Sequence, residues 1–384
     1  MLHRLALGFA GVVTAAIAIA ACSSSDATQT ISVGPNFPAQ TLYAANVTQN
    51  AIGIYTPVPP KTSGVGPQYV IGGSNTTLQG PQYLALDASN NLWVTTWLSS
   101  TTAGEILEFQ ALATGNVLPY QTFSLGTERP RGIAAFNYTF SGATSPTAVL
   151  AIAEVDPDAA AGFSSGIAFF ESAAITGAYQ TLAGPNTGLN VPSGIAVDSK
   201  ANVYVSNLQG ASVEVFALPT PTPTASPTAS PTATASPTAT PTGATATPSP
   251  TPSPTASPVN NTPIATISGS ASKIGQPTGI ALDTNDNIYV SDQASSLCAA
   301  KCPAILIFPA GSNGAVTPKA IYGSKTLLVA PTDVKVDKSG DIYVADEAAG
   351  QGVIYIFAPG ATGNVAPAAT LKSPGAVIGL ALIP

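Results

Sequence analysis

The stretch Gln276-Pro277-Thr278-Gly279-Ile280-Ala281-Leu282-Asp283, followed after three residues by Asn287-Ile288-Tyr289-Val290-Ser291-Asp292, decides the fold because the chain repeats it. Pro192-Ser193-Gly194-Ile195-Ala196-Val197-Asp198 leads to Asn202-Val203-Tyr204-Val205-Ser206-Asn207. Pro331-Thr332-Asp333-Val334-Lys335-Val336-Asp337 leads to Asp341-Ile342-Tyr343-Val344-Ala345-Asp346, and Pro81-Gln82-Tyr83-Leu84-Ala85-Leu86-Asp87 leads to Asn91-Leu92-Trp93-Val94-Thr95-Thr96. Alternating apolar residues mark each half-phrase as a strand. Self-similarity at this period marks a repeat architecture.

Each copy reads as four short strands. Strand a is the Pro-x-Gly-Ile-Ala-x-Asp run and strand b the Ile-Tyr-Val run. The turn between them starts at Asp87, Asp198, Asp283 or Asp337, whose carboxylate is placed to accept backbone N–H groups and close a tight hairpin. Strand c ends in phenylalanine, as in Ile305-Leu306-Ile307-Phe308 and Ile354-Tyr355-Ile356-Phe357. Strand d follows a Gly/Asn turn; its prolines and polar residues suit an outer edge facing water. A four-stranded sheet with two apolar faces cannot stand alone, and stacking copies radially buries both faces.

Five complete units start near Pro81, Pro130, Pro192, Pro277 and Pro331. The unit at Pro130 is irregular, with Phe136 where the turn aspartate belongs. The chain ends supply a sixth. Thr41-Leu42-Tyr43-Ala44-Ala45-Asn46 is a strand b with no strand a before it, and Gly379-Leu380-Ala381-Leu382 is a strand a with nothing after it. The reading is an all-β, six-bladed propeller spanning 41–384, closed by pairing of its terminal strands.

These phrases resemble the NHL-type β-propeller from Thr41 to Ile383, apart from one insertion. The chain lacks the basic residue usual in that family after strand b. The resemblance implies a binding platform or an extracytoplasmic sensor domain, and nothing sharper.

The N-terminus points to export. His3 and Arg4 precede an apolar run, Leu5 to Ala21, and Ile19-Ala20-Ala21-Cys22 resembles a bacterial lipobox in which Cys22 becomes the lipidated first residue. An uncleaved helical anchor is the alternative. Residues 1–21 thus read as signal peptide and 22–40 as a tether, placing the body outside the cytoplasm on a membrane. Processing would remove Arg4, leaving 11 basic residues against 19 acidic ones, a net charge of −8. Such a surface repels phosphate backbones, so nucleic acid is excluded as a partner. Processing also removes His3, the chain's sole histidine. Cys298 and Cys302 are expected to form a small disulfide clip, since two thiolates alone cannot complete a zinc tetrahedron.

Residues 219–258 are Pro, Thr, Ser and Ala apart from Gly243, a composition with no large apolar side chains to offset ordering entropy. Val213 to Phe216 before them is a strand c and Thr262 to Ile267 after them a strand d. The insertion therefore sits within the fourth blade. It is either a bare loop or an O-glycosylated or wall-contacting segment.

Chemistry is sparse. Gly162-Phe163-Ser164-Ser165-Gly166 matches a nucleophile elbow but precedes a strand instead of a helix and has no histidine base. Asp283 to Asn287 begins like a calcium loop, yet Ile288 stands where glycine is required. The residues ending each strand b, Asn46, Thr96, Glu154, Asn207, Asp292 and Asp346, share one height near a channel mouth. They are candidates for binding a ligand or Ca²⁺ through oxygen, an arrangement similar to that of gluconolactonase-type propellers. The competing account is that each caps its own b–c turn. The reading that follows is a monomeric, lipid-anchored binding or scaffold module for a protein, peptide or glycan of the cell envelope. The alternatives are a calcium-dependent hydrolase and a structural envelope protein.

Overall fold

The computed structural model describes residues 40–57, 63–97, 103–126, 128–141, 143–156, 164–172, 175, 178–219, 259–348 and 351–383. The signal peptide, Cys22, the tether up to residue 39, Gly162-Phe163 and 220–258 of the insertion lie outside the described residues.

The strands come in fours. β1 (Thr41–Asn46), β2 (Ala51–Tyr55) and β3 (Tyr69–Gly72) begin the first sheet. The second holds β4 (Pro81–Leu86), β5 (Leu92–Thr96), β6 (Glu105–Phe109) and β7 (Gln121–Ser124). The third holds β8 (Arg129–Tyr138), β9 (Thr147–Asp156), β10 (Ser164–Glu171) and β11 (Gln180–Ala183). The fourth holds β12 (Pro192–Val197), β13 (Val203–Asn207), β14 (Ser212–Phe216) and β15 (Ala265–Ile267). The fifth holds β16 (Pro277–Leu282), β17 (Ile288–Ser295), β18 (Cys302–Phe308) and β19 (Lys319–Tyr322). The sixth holds β20 (Pro331–Val336), β21 (Ile342–Ala348), β22 (Gln351–Phe357) and β23 (Ala369–Lys372).

β24 (Val377–Ile383) then returns to the first sheet, whose order is β24-β1-β2-β3. Leu42 pairs with Leu382 and Ala44 with Leu380. The strands a touch in the cycle β24, β4, β8, β12, β16, β20 and back to β24. The chain is a six-bladed β-propeller.

Local chemistry explains the blades. Asp87 Oδ1 accepts from Ser89 N (2.8 Å) and Asn91 N (2.9 Å), while Oδ2 accepts from Asn91 Nδ2 (3.0 Å) and Trp93 Nε1 (3.3 Å). Asp198 and Asp283 repeat this with Asn202 and Asn287, each donating Nδ2–H at 2.8 Å. Asp337 accepts from Ser339 N (2.8 Å), Asp341 N (2.9 Å) and the Tyr343 hydroxyl (3.1 Å). One carboxylate thus does for each a–b hairpin what several backbone acceptors would otherwise do.

The core is divided into six clusters, each drawn from two neighbouring blades. Phe109, Phe216, Phe308 and Phe357, the ends of strands c, are fully buried in them. Burying each such ring is worth roughly 1.5–3 kcal/mol, so adhesion between blades is built from the same residue in four of the six copies.

The outer edges differ from expectation. Strand d does not simply face water: the c–d connection of the following blade lies parallel against it. Ile71 bridges Gly115, Leu182 bridges Val259, Ile267 bridges Gly314, Ile321 bridges Gly363, and Leu371 bridges Val65. These straps cover edges that would otherwise template pairing with another chain. Asn116, Asn260 and Asn364 fasten them, each Oδ1 accepting a backbone N–H of the preceding blade's turn at 2.7–2.8 Å. Val259, the first described residue after the insertion, belongs to such a strap.

Candidate functional site at the propeller axis

Strand a runs along the axis in every blade, and its register against strand b shifts just after the leading proline in five of them. The bulge turns a backbone N–H toward a hydroxyl near the end of strand b. Thr95 Oγ1 accepts from Tyr83 N (3.1 Å) and donates to Arg131 O of the next blade (2.8 Å). Ser206 Oγ accepts from Gly194 N (2.7 Å) and donates to Thr278 O; Ser291 Oγ accepts from Gly279 N (2.8 Å). Thr278 Oγ1 donates to Pro331 O (2.9 Å) and Thr332 Oγ1 to Val377 O (3.0 Å). A belt of hydroxyls therefore ties one blade to the next around the axis.

Within this belt the third residue of strand a is Gly132, Gly194, Gly279 or Gly379 in four blades. A Cβ on Gly132 would lie 2.1 Å from Ser193 O, and one on Gly379 would lie 2.6 Å from Tyr83 Cα. Neighbouring strands are too close there for a side chain. The two exceptions are Tyr83 and Asp333, and they fill the axis.

Tyr83 reaches from the second blade across to the fourth and sixth. Its hydroxyl shares a hydrogen bond with Ser193 Oγ (3.1 Å) and donates to Thr332 O (3.2 Å). Burial, with the charge of Asp333 adding to it, pushes its pKa up to about 12. Asp333 is buried and accepts from Val334 N (2.8 Å) and Leu380 N (2.8 Å), and Lys335 Nζ contacts both its oxygens, at 3.0 and 2.9 Å. Burial moves its pKa upward, against the pull of the Lys335 ammonium. Such a buried pair survives because every carboxylate lone-pair direction meets a donor. Below it, toward the a–b turns, the channel widens into a cavity of about 260 Å³ lined by all six strands a.

The residues ending strand b stand at matching positions. Thr96, Glu154, Asn207, Asp292 and Asp346 lie opposite the prolines that open strand a, and Asn46 lies opposite Val377. Their side chains, however, serve local backbone. Asp292 accepts from Gly275 N (2.7 Å), Gln276 N (2.9 Å) and Ala294 N (2.9 Å), and Asp346 from Val329 N (2.9 Å) and Ala330 N (3.1 Å). Asn207 accepts from Asn190 N (2.6 Å) and donates to Gly188 O (2.9 Å). These three thus cap the connection entering strand a. Asn46 caps its own b–c turn through Gln49 N (3.1 Å) and Thr48 Oγ1 (3.2 Å). Thr96 is buried.

Burial raises the pKa of both Asp292 and Asp346 against the lowering effect of their N–H donors. Glu154 is different: half-buried beside Glu128, its carboxyl is pushed up to about 8, chiefly by burial. Among the described residues no three His, Cys, Asp or Glu side chains converge closely enough to hold one metal ion. The six positions are matched in height without their carboxylates meeting. Cys298 and Cys302 form a disulfide with Cα atoms 5.7 Å apart, in the b–c hairpin of the fifth blade.

Tyr83, Asp333 and Lys335 are absent from the sequence-derived candidates. The signal was in the phrases themselves: aligned copies read Gly-Ile-Ala where these two blades read Tyr83-Leu84-Ala85 and Asp333-Val334-Lys335. A repeat breaks its own rule where a position does something individual.

No protein-family model matches the sequence, and no curated protein does. Solved structures match it in fold. A protein of unknown function from Bacteroides caccae is similar with a TM-score of 0.52 and 10% identity, over 90% of this chain and 98% of that one. A Lactobacillus plantarum protein gives 0.46 and 10%, over 88% and 98%. A gluconolactonase from Xanthomonas campestris gives 0.40 and 12%, over 91% of each chain. At these identities the likeness is one of fold alone.

Proposed function

We propose that this chain is an NHL-like propeller exported as a lipoprotein and held by Cys22 outside the cytoplasm, where it binds a protein, peptide or glycan of the cell envelope. The observation that carries the binding reading is that Asn46, Asn207, Asp292 and Asp346, four of the six polar residues at the ends of strands b, are hydrogen-bonded within the fold. Asp292 and Asp346 accept five backbone N–H groups between them, three and two. A calcium-dependent hydrolase using them would have to break those caps before it could bind its ion. Recognition is left to the connecting loops, where Leu327 and Val329 stand more than half exposed on the connection into the sixth blade. Exposed apolar side chains on a loop held by a rigid ring are suited to contact a partner.

The test is binding of the exported chain, from residue 22 onward, to separated envelope fractions: peptidoglycan, lipid vesicles and outer-surface proteins. Saturable binding weakened at least fivefold by Leu327→Ser with Val329→Ser supports the reading. Binding to no fraction, together with a melting temperature raised by millimolar Ca²⁺, would replace it with the hydrolase. Retention in the membrane after Cys22→Ser would overturn the lipid anchor.

A further inference from the structure

We propose that the seam between the fifth and sixth blades, at the a–b-turn end of the ring, binds a small carboxylate with a ring-sized apolar body, of the benzoate kind. The seam lies at the other end of strand a from Leu327 and Val329, so this proposal and the loop reading fail independently.

Two glycines open this seam where other seams are filled. Strand b carries a tyrosine at one repeated position in four blades, and three of these rings are buried: Tyr43 is 2%, Tyr204 5% and Tyr343 0% exposed. The fourth, Tyr289, is partly exposed. In the second blade Leu112, at φ 68°, packs from the c–d connection into the cluster that holds Tyr43. The matching residue of the sixth blade is Gly360, at φ 72°, where an added Cβ would meet nothing within 4 Å. In the fifth blade Asp286, in the a–b turn at φ 58°, reaches the fourth blade and accepts from Ser199 Oγ at 2.8 Å. Its counterpart in the sixth blade is Gly340, at φ 85°, with no side chain to reach across. Between the fifth and sixth blades a cavity of about 290 Å³ remains, lined by residues of both.

The lining limits the ligand's chemistry. Phe308 and Ile342 are fully buried and form the floor. Tyr289, Ile307 and Ala361 are partly buried and Pro309 is exposed, so these four offer apolar surface to a ligand. Lys319 is the sole charged residue of the lining, and among the described residues no carboxylate lies within ion-pair distance of it. An ammonium has three donors and no acceptor, and it holds a carboxylate through charge-assisted hydrogen bonds. Thr317 and Thr362 add hydroxyls to the same lining, able to donate to the second carboxylate oxygen. Asp283 stands behind Tyr289, whose hydroxyl donates to Oδ2 at 3.4 Å. The ligand's apolar body is therefore placed against the tyrosine and its charge at Lys319. An amine is disfavoured by the ammonium, and an alcohol forgoes the charge-assisted bond. A volume of about 290 Å³ equals that of roughly ten waters at ~30 Å³ each, so a ligand of about ten non-hydrogen atoms fits. Apolar walls with a few placed polar groups are how small molecules are commonly held.

The experiment compares benzoate, benzyl alcohol and benzylammonium, rings of similar size and different charge, by ligand-observed saturation-transfer NMR on the whole exported chain. Saturable binding of benzoate, at least fivefold tighter than either of the others, is expected. Lys319→Met keeps the stem and removes the charge, so it should erase that preference. Gly360→Leu gives the sixth blade the residue that the second carries at nearly the same φ, and it should abolish benzoate binding. Melting curves report that both variants are folded. Leu327→Ser with Val329→Ser should leave benzoate binding unchanged, which separates this site from the loops. In the wild-type chain, movement of the ¹³C-labelled Ile307 methyl resonances on titration with benzoate locates the site without any substitution. Absence of saturable benzoate binding, either neutral or cationic ring binding as tightly, unchanged binding in folded Gly360→Leu, or unmoved Ile307 methyls at saturating benzoate would each overturn the proposal.

Discussion

Asp341→Asn is expected to stabilise the protein, and only where carboxylates are ionised. In three blades the a–b turn ends in an asparagine whose Nδ2–H donates to the turn aspartate, at 3.0 Å from Asn91 and 2.8 Å from Asn202 and Asn287. The sixth blade has Asp341 in that place, 6% exposed and beside Asp337, itself 4% exposed. Burial and the Asp337 charge raise the Asp341 pKa. A group whose folded pKa lies above its unfolded value contributes stability in acid, and that contribution is lost as pH rises from the ordinary aspartate range through the raised value. Asparagine does not titrate, so the variant's advantage must grow over the same window.

A hydrogen bond to a charged acceptor is worth about 1.5–3 kcal/mol. Taking the lower figure, we expect a gain of ~1.5 kcal/mol near neutral pH. For a folded body of roughly 300 residues the unfolding entropy is ~0.6 kcal/mol/K, so the melting temperature should rise by about 2–3 °C. Urea midpoints measured at about pH 7.5 and about pH 3.5 test this, with a gain at the first and little at the second. Asn91→Asp should produce the reverse in the second blade. An equal gain at both pH values, or no gain at neutral pH, would refute the repulsion argument.

Glu154→Gln follows the same sign, because burial holds Glu154 up to about 8. Wild type and variant should be nearly equal in acid, and the variant more stable by ~2 kcal/mol at about pH 9, with the change falling between the unfolded glutamate range and the raised value. Parallel stability curves for the two would sink this prediction. Tyr83→Phe removes the hydroxyl joined to Ser193 and Thr332 and should cost ~1–2 kcal/mol. Chemical denaturation measures it, and a loss below ~0.5 kcal/mol would mean that the axial bonds contribute little.

Most of the fold was legible in the sequence because it is dictated six times. The alternating runs, the Asp87, Asp198, Asp283 and Asp337 turns and the terminal half-units led to the blade count and the closure between Leu42 and Leu382. What stayed illegible were interactions that cross from one copy to another. The straps pair residues such as Ile71 and Gly115, which no single repeat places together. The strand-b ends were readable as equivalent positions, but side-chain direction was not. Asp292 turns into the connection at Gly275 and Gln276, since those amides have no other partner within the blade's own ladder. Hydrogen-bond demand from a neighbouring loop is not encoded in the spacing that identified the residue.

The two broken repeat positions also bear on how the ring stays shut. Blade one is the joint between the chain's ends, and the exceptions fall in the blades on either side of it, Asp333 in the sixth and Tyr83 in the second. Both grip β24: Asp333 accepts from Leu380 N, Thr332 donates to Val377 O, and the Tyr83 backbone closes over Gly379. A strand held only by pairing would open first, because terminal elements have the lowest local stability. Restoring the repeat by Asp333→Gly with Lys335→Ala removes the ion pair whole and leaves no buried charge unpaired. Exchanging a complete buried pair for apolar or small residues is often close to neutral for global stability, so the denaturation midpoint should move little. The Leu380 amide loses a charged acceptor worth more than ~1.4 kcal/mol, and its hydrogen exchange should speed up at least tenfold while amides in β12 do not change. If Leu380 exchanges at the wild-type rate in this variant, Asp333 is not the latch, and closure rests on the β1–β24 ladder and its apolar contacts alone.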